Sequence, residues 1–288
     1  MAYLIHLAIM ASIFAILAVG LNLVVGHTGL LSVAHAAFFG IGAYTAAILM
    51  VFHHFPFYIA LIVAIFVTAF VAFVFGLILS TLRGDYYALG SLGLNSVVYV
   101  AMLNLDSITR GPLGIPGIPR PMIFGWSFAS GSTFLFLSVF FLLFSILVAF
   151  ICMRTPFGRV LKAIREDEDA LQVFGYRVLQ YKLTVFVLAA ILAAIAGALY
   201  ATYIGFVDPS AFMVFESVNL LTMIILGGLA TLRGSIVGAT FFIVLYEAVR
   251  FIGFSPAIAG QMRVAVVGLL LILLIIFRPQ GLFGTYKL

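Results

Sequence analysis

Charge is what this sequence lacks most. Lys, Arg, Asp and Glu together make up 8% of its 288 residues, against about 25% in soluble globular domains. With 65% hydrophobic residues and a mean hydropathy of +1.31, a soluble enzyme or soluble binding module is excluded. Cysteine is nearly absent: Cys152 stands alone, so no internal disulfide forms, and its place at a span end beside Arg154 argues against a redox role. No GxxxxGK[ST] run occurs, which excludes ATP binding through a phosphate loop. No metal-ligand spacing is present, since His53-His54 is a turn dipeptide without acidic neighbours. No Ser/His/Asp or Cys/His arrangement suggests nucleophilic catalysis. The net charge of +5 and pI near 9.4 come without an aromatic-interleaved basic patch, so nucleic acid is not an expected partner. The first apolar run has no basic leader before it and reads as a permanent span, not a cleavable signal.

What the chain has instead is length of apolar run. Segments of about 20 such residues suit helices crossing a hydrocarbon core about 30 Å thick. Helices satisfy their own backbone hydrogen bonds there. The expected spans are Tyr3–Val25, Leu31–Phe52, Phe57–Leu82, Tyr86–Leu105, Thr133–Met153, Leu183–Phe206, Phe215–Leu232, Ser235–Ile252 and Val264–Phe277, with a turn over Gly253–Gly260. The fold class is therefore an all-α polytopic membrane protein, a single transmembrane domain over 1–288. It should have about 8–9 transmembrane helices, one or two broken or re-entrant segments and a possible internal repeat. The first interruption, Gly26-His27-Thr28-Gly29, leaves two readings open: a broken helix whose freed backbone lines a cavity, or a tight turn. The segments from Leu23 and from Ile224 share an apolar run, a Gly break and a second run opening on Phe-Phe, which is the repeat signal. Residues 106–132 carry four prolines among many glycines and read as an external loop. Ala189, Ala190, Ala193, Ala194 and Gly197 form a small-residue stripe that permits close helix approach.

One island is polar. Arg154–Lys182 holds six of the fourteen Lys and Arg residues, and four of the nine acids sit there consecutively as Glu166, Asp167, Glu168 and Asp169. Pro156 can open a helix. Glu166–Phe174 can form a short one, acids first, closed by Gly175 in a left-handed cap. If the island is cytoplasmic, ten basic residues fall on that side and four on the other. That satisfies the positive-inside rule, with the C-terminus inside and the N-terminus outside.

The spacing Asp169-Ala170-Leu171 followed by Gly175 is similar to the coupling-loop motif of ABC importer permeases. Further stretches match in order: GLNLVVGHTGLLSVAHAAFFGIGAY (20–44), RGDYYAL (83–89), DSITRGPLGIPGIPRP (106–121), PFGRVLKAIREDEDALQVFGYRV (156–178), AGALYATYIGFVDPSAF (196–212), ILGGLATLRGSIVGA (225–239) and FRPQGLFG (277–284). Together they resemble the permease subunits of bacterial branched-chain amino acid ABC transporters, of the LivM/LivH type and nearer LivM. The resemblance implies an inner-membrane permease translocating amino acids, branched-chain ones foremost, with urea, short amides or other amino acids as alternatives. It implies a second permease subunit in a heterodimer, two cytoplasmic ATPases that use ATP and Mg, and a periplasmic or extracellular substrate-binding protein. No cofactor would be bound by this chain itself.

The residues expected to couple to the ATPase are Arg165, Glu166, Asp167, Glu168, Asp169, Ala170, Leu171 and Gly175, within a cytoplasmic loop over 154–182. Those expected along the substrate path are Asn22, Gly26, Ser32, His35, Asn95, Asn219, Thr222, Gly227 and Gly228. Each polar member can equally hydrogen-bond between helices, and a lone His such as His35 is usually a packing residue. Glu216 is expected to begin its span at the outer interface. An ion-coupled secondary transporter would need mid-span acids. Glu247 is the one candidate, and Arg250 beside it can pair with it. A membrane-embedded enzyme would need a convergent catalytic cluster, and none is visible.

Overall fold

The computed structural model describes residues 1–123, 125–248, 256–278 and 280–284. Nine apolar helices are found among them: α1 (Ala2–Thr28), α2 (His35–Val51), α3 (Phe57–Leu79), α4 (Gly84–Asn104), α6 (Gly131–Arg154), α9 (Val178–Ile204), α10 (Val214–Gly227), α11 (Leu232–Ala248) and α12 (Pro256–Phe277). The helix α5 (Asp106–Thr109) and the polar pair α7 (Pro156–Glu166) and α8 (Glu168–Val173) lie between them. Five of the nine, α1, α3, α4, α6 and α9, are long and apolar enough to cross a membrane, and α2 and α10 are shorter apolar helices. The chain is a multi-pass, all-α membrane protein.

Helices α1 and α9 form the centre. More than half of each lies inside the protein, whereas α3 and α6 keep most of their surface turned outward. Phe66, Phe70, Phe136 and Leu143 are among the exposed side chains, as a lipid-facing wall requires. The small-residue stripe explains why α9 can be central. A β-carbon on Gly197 would collide with the backbone of Phe39 and Ala43 on α2, and one on Gly42 with Ala194, so the two backbones touch. Aromatic rings fill the space beyond, with Phe39 edge-on to both Tyr200 and Phe212.

Several boundaries differ from the sequence expectation. α9 begins at Val178 and takes in Lys182, which is buried despite its charge. α12 begins at Pro256, inside the expected Gly253–Gly260 turn; proline is well suited to a helix's first position. α3 ends at Leu79, three residues early. The Gly/Pro loop is not structureless. Ile115–Pro116 (β1) pairs antiparallel with Phe206–Val207 (β4), and Met122–Ile123 (β2) with Trp126–Ser127 (β3). The guanidinium of Arg120 lies over the rings of Phe134 and Tyr203, which ties this loop to α6 and α9. Arg250 lies outside the described residues, so the expected Glu247–Arg250 pair does too; Glu247 accepts a hydrogen bond from Tyr3 Oη at 3.0 Å.

Candidate coupling site and substrate path

The polar island is two helices with a hinge. α7 opens on Pro156 and buries Val160, Leu161 and Ile164 along one face. It runs through Glu166, so the expected single helix over Glu166–Phe174 is split at Asp167. That residue is extended, and its carboxylate caps α8 by accepting from Ala170 N at 3.0 Å. α8 closes as expected: Gly175 has φ +84, with Gly175 N donating to Gln172 O and Tyr176 N to Leu171 O. Nothing lies within 4 Å of a β-carbon at Gly175. The backbone angle, not space, is what requires glycine there.

Three of the four acids do different jobs. Glu168 turns back into the helix bundle and meets Lys182 Nζ at 2.5 Å. The Lys182 side chain is 1% exposed, so Glu168 supplies the counter-charge that makes its burial tolerable. Asp169 points outward and pairs with Arg83 at 2.5 Å, and Arg83 also donates to Gln172 Oε1 at 3.3 Å. Arg83 is the residue immediately before α4. α8 is therefore pinned to the first turns of both α4 and α9. Beyond Asp169 and Gln172 it also exposes an apolar pair: Val173 is 86% and Phe174 79% exposed. Sequence reasoning, occupied with the charges, passed over both residues, although an apolar pair closing a polar helix was the available signal.

Arg165, in the last turn of α7, reaches further in. Its Nη1 donates to the carbonyl of Gly26 at the end of α1. Four residues back on α1, fully buried Asn22 grips a second interruption, the turn 228–231 between α10 and α11. Asn22 Nδ2 donates to Thr231 O at 3.0 Å and Ser235 Oγ at 2.7 Å, and Asn22 Oδ1 accepts from Ala230 N at 3.0 Å. Ala230 has φ +61, a left-handed conformation that costs a non-glycine residue about 1–2 kcal/mol. Gly26 has to be glycine, because a β-carbon there would overlap Asn22 Oδ1 and Ala230 N. Gly227 and Gly228 complete the turn. Gly227 packs on the backbone of Gly234 and Gly238, and Gly228 on that of Gly284. Leu282 N and Phe283 N donate to the carbonyls of Leu226 and Gly227. The expected site residues Asn22, Gly26, Gly227 and Gly228 are thus brought into one densely packed knot, and Arg165 joins it to the polar island.

The interruption after α1 is a broken helix, not a tight turn. Residues 29–34 are non-helical, with Leu30, Ser32, Val33 and Ala34 buried. Backbone buried at such a place must find partners within the protein. Here Leu30 N donates to Thr28 Oγ1 at 3.4 Å, Val33 N to Ser91 Oγ at 2.9 Å and Ala36 N to Ser217 Oγ at 2.9 Å. Ser217 in turn donates to Asn95 Oδ1 at 3.3 Å, and Asn95 Nδ2 to Phe212 O at 3.4 Å. Asn95 is fully buried in this work. His35 is buried against Gly20 of α1. His35 and Asn95 therefore sit in helix interfaces and Ser32 in the buried break itself, none of them lining the cavities below.

Asn219 and Thr222 do line cavities. One, of about 220 Å³, lies among α1, α9, α10 and α11 and includes Asn219. Another, of about 210 Å³, lies among α10, α11 and α12 and includes both Asn219 and Thr222. Thr222 spends its hydroxyl on Val218 O at 2.9 Å, while Asn219 Nδ2 donates to Glu216 Oε2 at 3.1 Å. Sequence reasoning placed Glu216 at an interface and did not consider His6; both line the first cavity.

The profile of a family described as branched-chain amino acid transport system / permease component matches residues 3–275. The high-affinity branched-chain amino acid transport system permease proteins LivM of Salmonella typhimurium and Escherichia coli are each 35% identical over 96% of this chain and 69% of their own length. Among solved structures, PsaBC from Streptococcus pneumoniae, in complex with Fab, superposes with a TM-score of 0.50 at 16% identity, over 95% of this chain and 91% of that one. That likeness concerns the fold alone.

Proposed function

The chain belongs to the family of branched-chain amino acid transport system permease components, and from that premise we propose that it is the membrane subunit of an ABC importer for branched-chain amino acids. ATP is hydrolysed on separate subunits, which dock at Arg154–Lys182 on the cytoplasmic face. The C-terminus lies on the same face. Residues 106–132 face outward and receive a substrate-binding protein, and a second permease subunit completes the path.

One observation carries this reading: the continuous contact from the polar island into the bundle. α8 holds α4 through Arg83 and α9 through Lys182. α7 holds α1 through Arg165, and α1 holds the 228–231 turn through Asn22. A push on α8 is then delivered at the starts of α4 and α9, and one on α7 through α1 to the knot. Val173 and Phe174 supply the apolar knobs for docking, since exposed aromatic anchors commonly dominate such contacts. The acids behind them hold α8 rigid instead of making the main contact.

Replacing Phe174 with Asp in the complete transporter tests the docking. The expected outcome is loss of ATPase subunits from the purified complex and loss of leucine uptake, with the permease still inserted. Retained ATPase subunits and undiminished uptake would contradict it. Uptake of leucine against urea and a short amide, by the intact complex in proteoliposomes, decides among substrates.

A further inference from the structure

The cavity among α1, α9, α10 and α11 is chemically mixed. Leu7, Met10, Phe14, Met223 and Phe242 give it apolar surface. Glu216, Asn219, Tyr200, His6, Tyr246 and a second carboxylate, Glu247, which accepts from Tyr3 Oη at 3.0 Å, supply its polar atoms. No lysine or arginine is present among its described lining residues. Glu216 Oε2 accepts from Asn219 Nδ2, and that amide is the carboxylate's one hydrogen-bond partner among the described residues. A carboxylate beside apolar surface is costly to keep without a cation. It suits a place where the cation arrives with a ligand.

We propose that this cavity is a station for the free amino acid in transit, with Glu216 receiving its α-ammonium group. The second N–H of the Asn219 amide and the hydroxyl of Tyr200 face the ligand's carboxylate. The Met and Phe surface takes the aliphatic side chain, and the flexible thioethers of Met10 and Met223 adapt to its branching. The cavity's volume of about 220 Å³ accommodates one small amino acid and little more. This inference rests on the amino acid permease reading and adds to it a residue that recognises the ammonium.

A diazirine analogue of leucine is the probe. The complete transporter, in lipid nanodiscs without its binding protein, is irradiated with the probe and the adducts are mapped by mass spectrometry. Adducts are expected on lining residues of α1, α10 and α11. Excess 3-methylbutylamine, which keeps the ammonium, should compete, and 4-methylpentanoate, which lacks it, should not. Glu216→Gln should cut adduct yield about tenfold, the scale of losing a charged hydrogen bond. Met10→Phe, which narrows the apolar space and leaves the carboxylate alone, should shift labelling from the leucine probe toward a smaller alanine-sized one. Equal competition by both analogues, or labelling unchanged in both variants, would overturn the proposal. Leucine uptake by wild-type proteoliposomes is measured in parallel. If uptake proceeds and the cavity stays unlabelled, this site alone fails. If no amino acid is transported, the permease reading fails with it.

Discussion

The two interruptions in the helices look alike in sequence and are built on different principles. The one after α1 spreads its backbone needs over several helices: Thr28, Ser91 and Ser217 each satisfy one N–H. The one after α10 shares them between its own Thr231 hydroxyl, which bonds Gly228 O and Gly234 N, and Asn22, which makes three hydrogen bonds to residues 230, 231 and 235. The first is extended and well distributed. The second is tight, contains a left-handed alanine and is tied to α1 through the side chain of Asn22. A distributed arrangement suits a fixed element. A strained turn tied to α1 at one point suits one that shifts when that point moves, and that point stands one helical turn from the carbonyl gripped by Arg165.

The contrast sets an order of effects. Asn22→Ala should be the most damaging change, because it removes three hydrogen bonds at once and takes from Ala230 N its acceptor, a loss of about 1–3 kcal/mol on top of the bonds themselves. A large drop in melting temperature in detergent, with uptake lost, is expected. A shift no larger than that of a single serine change would break the comparison. Gly26→Ala should follow, at about 1–3 kcal/mol for overpacking, since its β-carbon collides with both Asn22 and the turn; the same melting assay reads it. Ser217→Ala and Ser91→Ala each remove one partner from the first interruption and should cost about 1 kcal/mol. The Ser217 change should be the greater, because Asn95 loses a partner as well. Smallest, and opposite in sign, is Ala230→Gly. Relief of the positive φ should stabilise the protein by about 1 kcal/mol in the melting assay, and a destabilisation would show that the turn is not strained.

Composition and run length made the membrane fold legible, because lipid admits few backbone solutions. Local grammar was legible too. Pro156 opens α7 and Gly175 closes α8, since both effects are settled within one turn of chain. The small-residue stripe foretold the tight approach of α9 to α2. Partners distant in sequence were not legible. Nothing near Asn22 announces residue 231, 209 positions away. Lys182 looked like the solvated end of a loop and is instead a buried ion pair that begins a helix. The acid run gave no sign of the internal partners it has: Asp167 caps α8, Glu168 meets Lys182 and Asp169 meets Arg83, while Val173 and Phe174 are exposed. In an apolar chain nearly every helix face looks equally buried, so periodicity could not sort Asn95, in a helix interface, from Asn219, beside a cavity.

The central claim is that the polar island acts on the 228–231 turn through Arg165, Gly26 and Asn22. A double-mutant cycle on leucine transported per ATP hydrolysed, in the complete reconstituted transporter, tests it most directly. Arg165→Ala and Asn22→Ser should each lower that ratio, by about tenfold if each removes one charged or buried hydrogen bond from the route. If both lie on one route, the double variant should be no worse than the poorer single. A double variant whose loss is the product of the two single losses would mean the residues act independently, and would contradict the account.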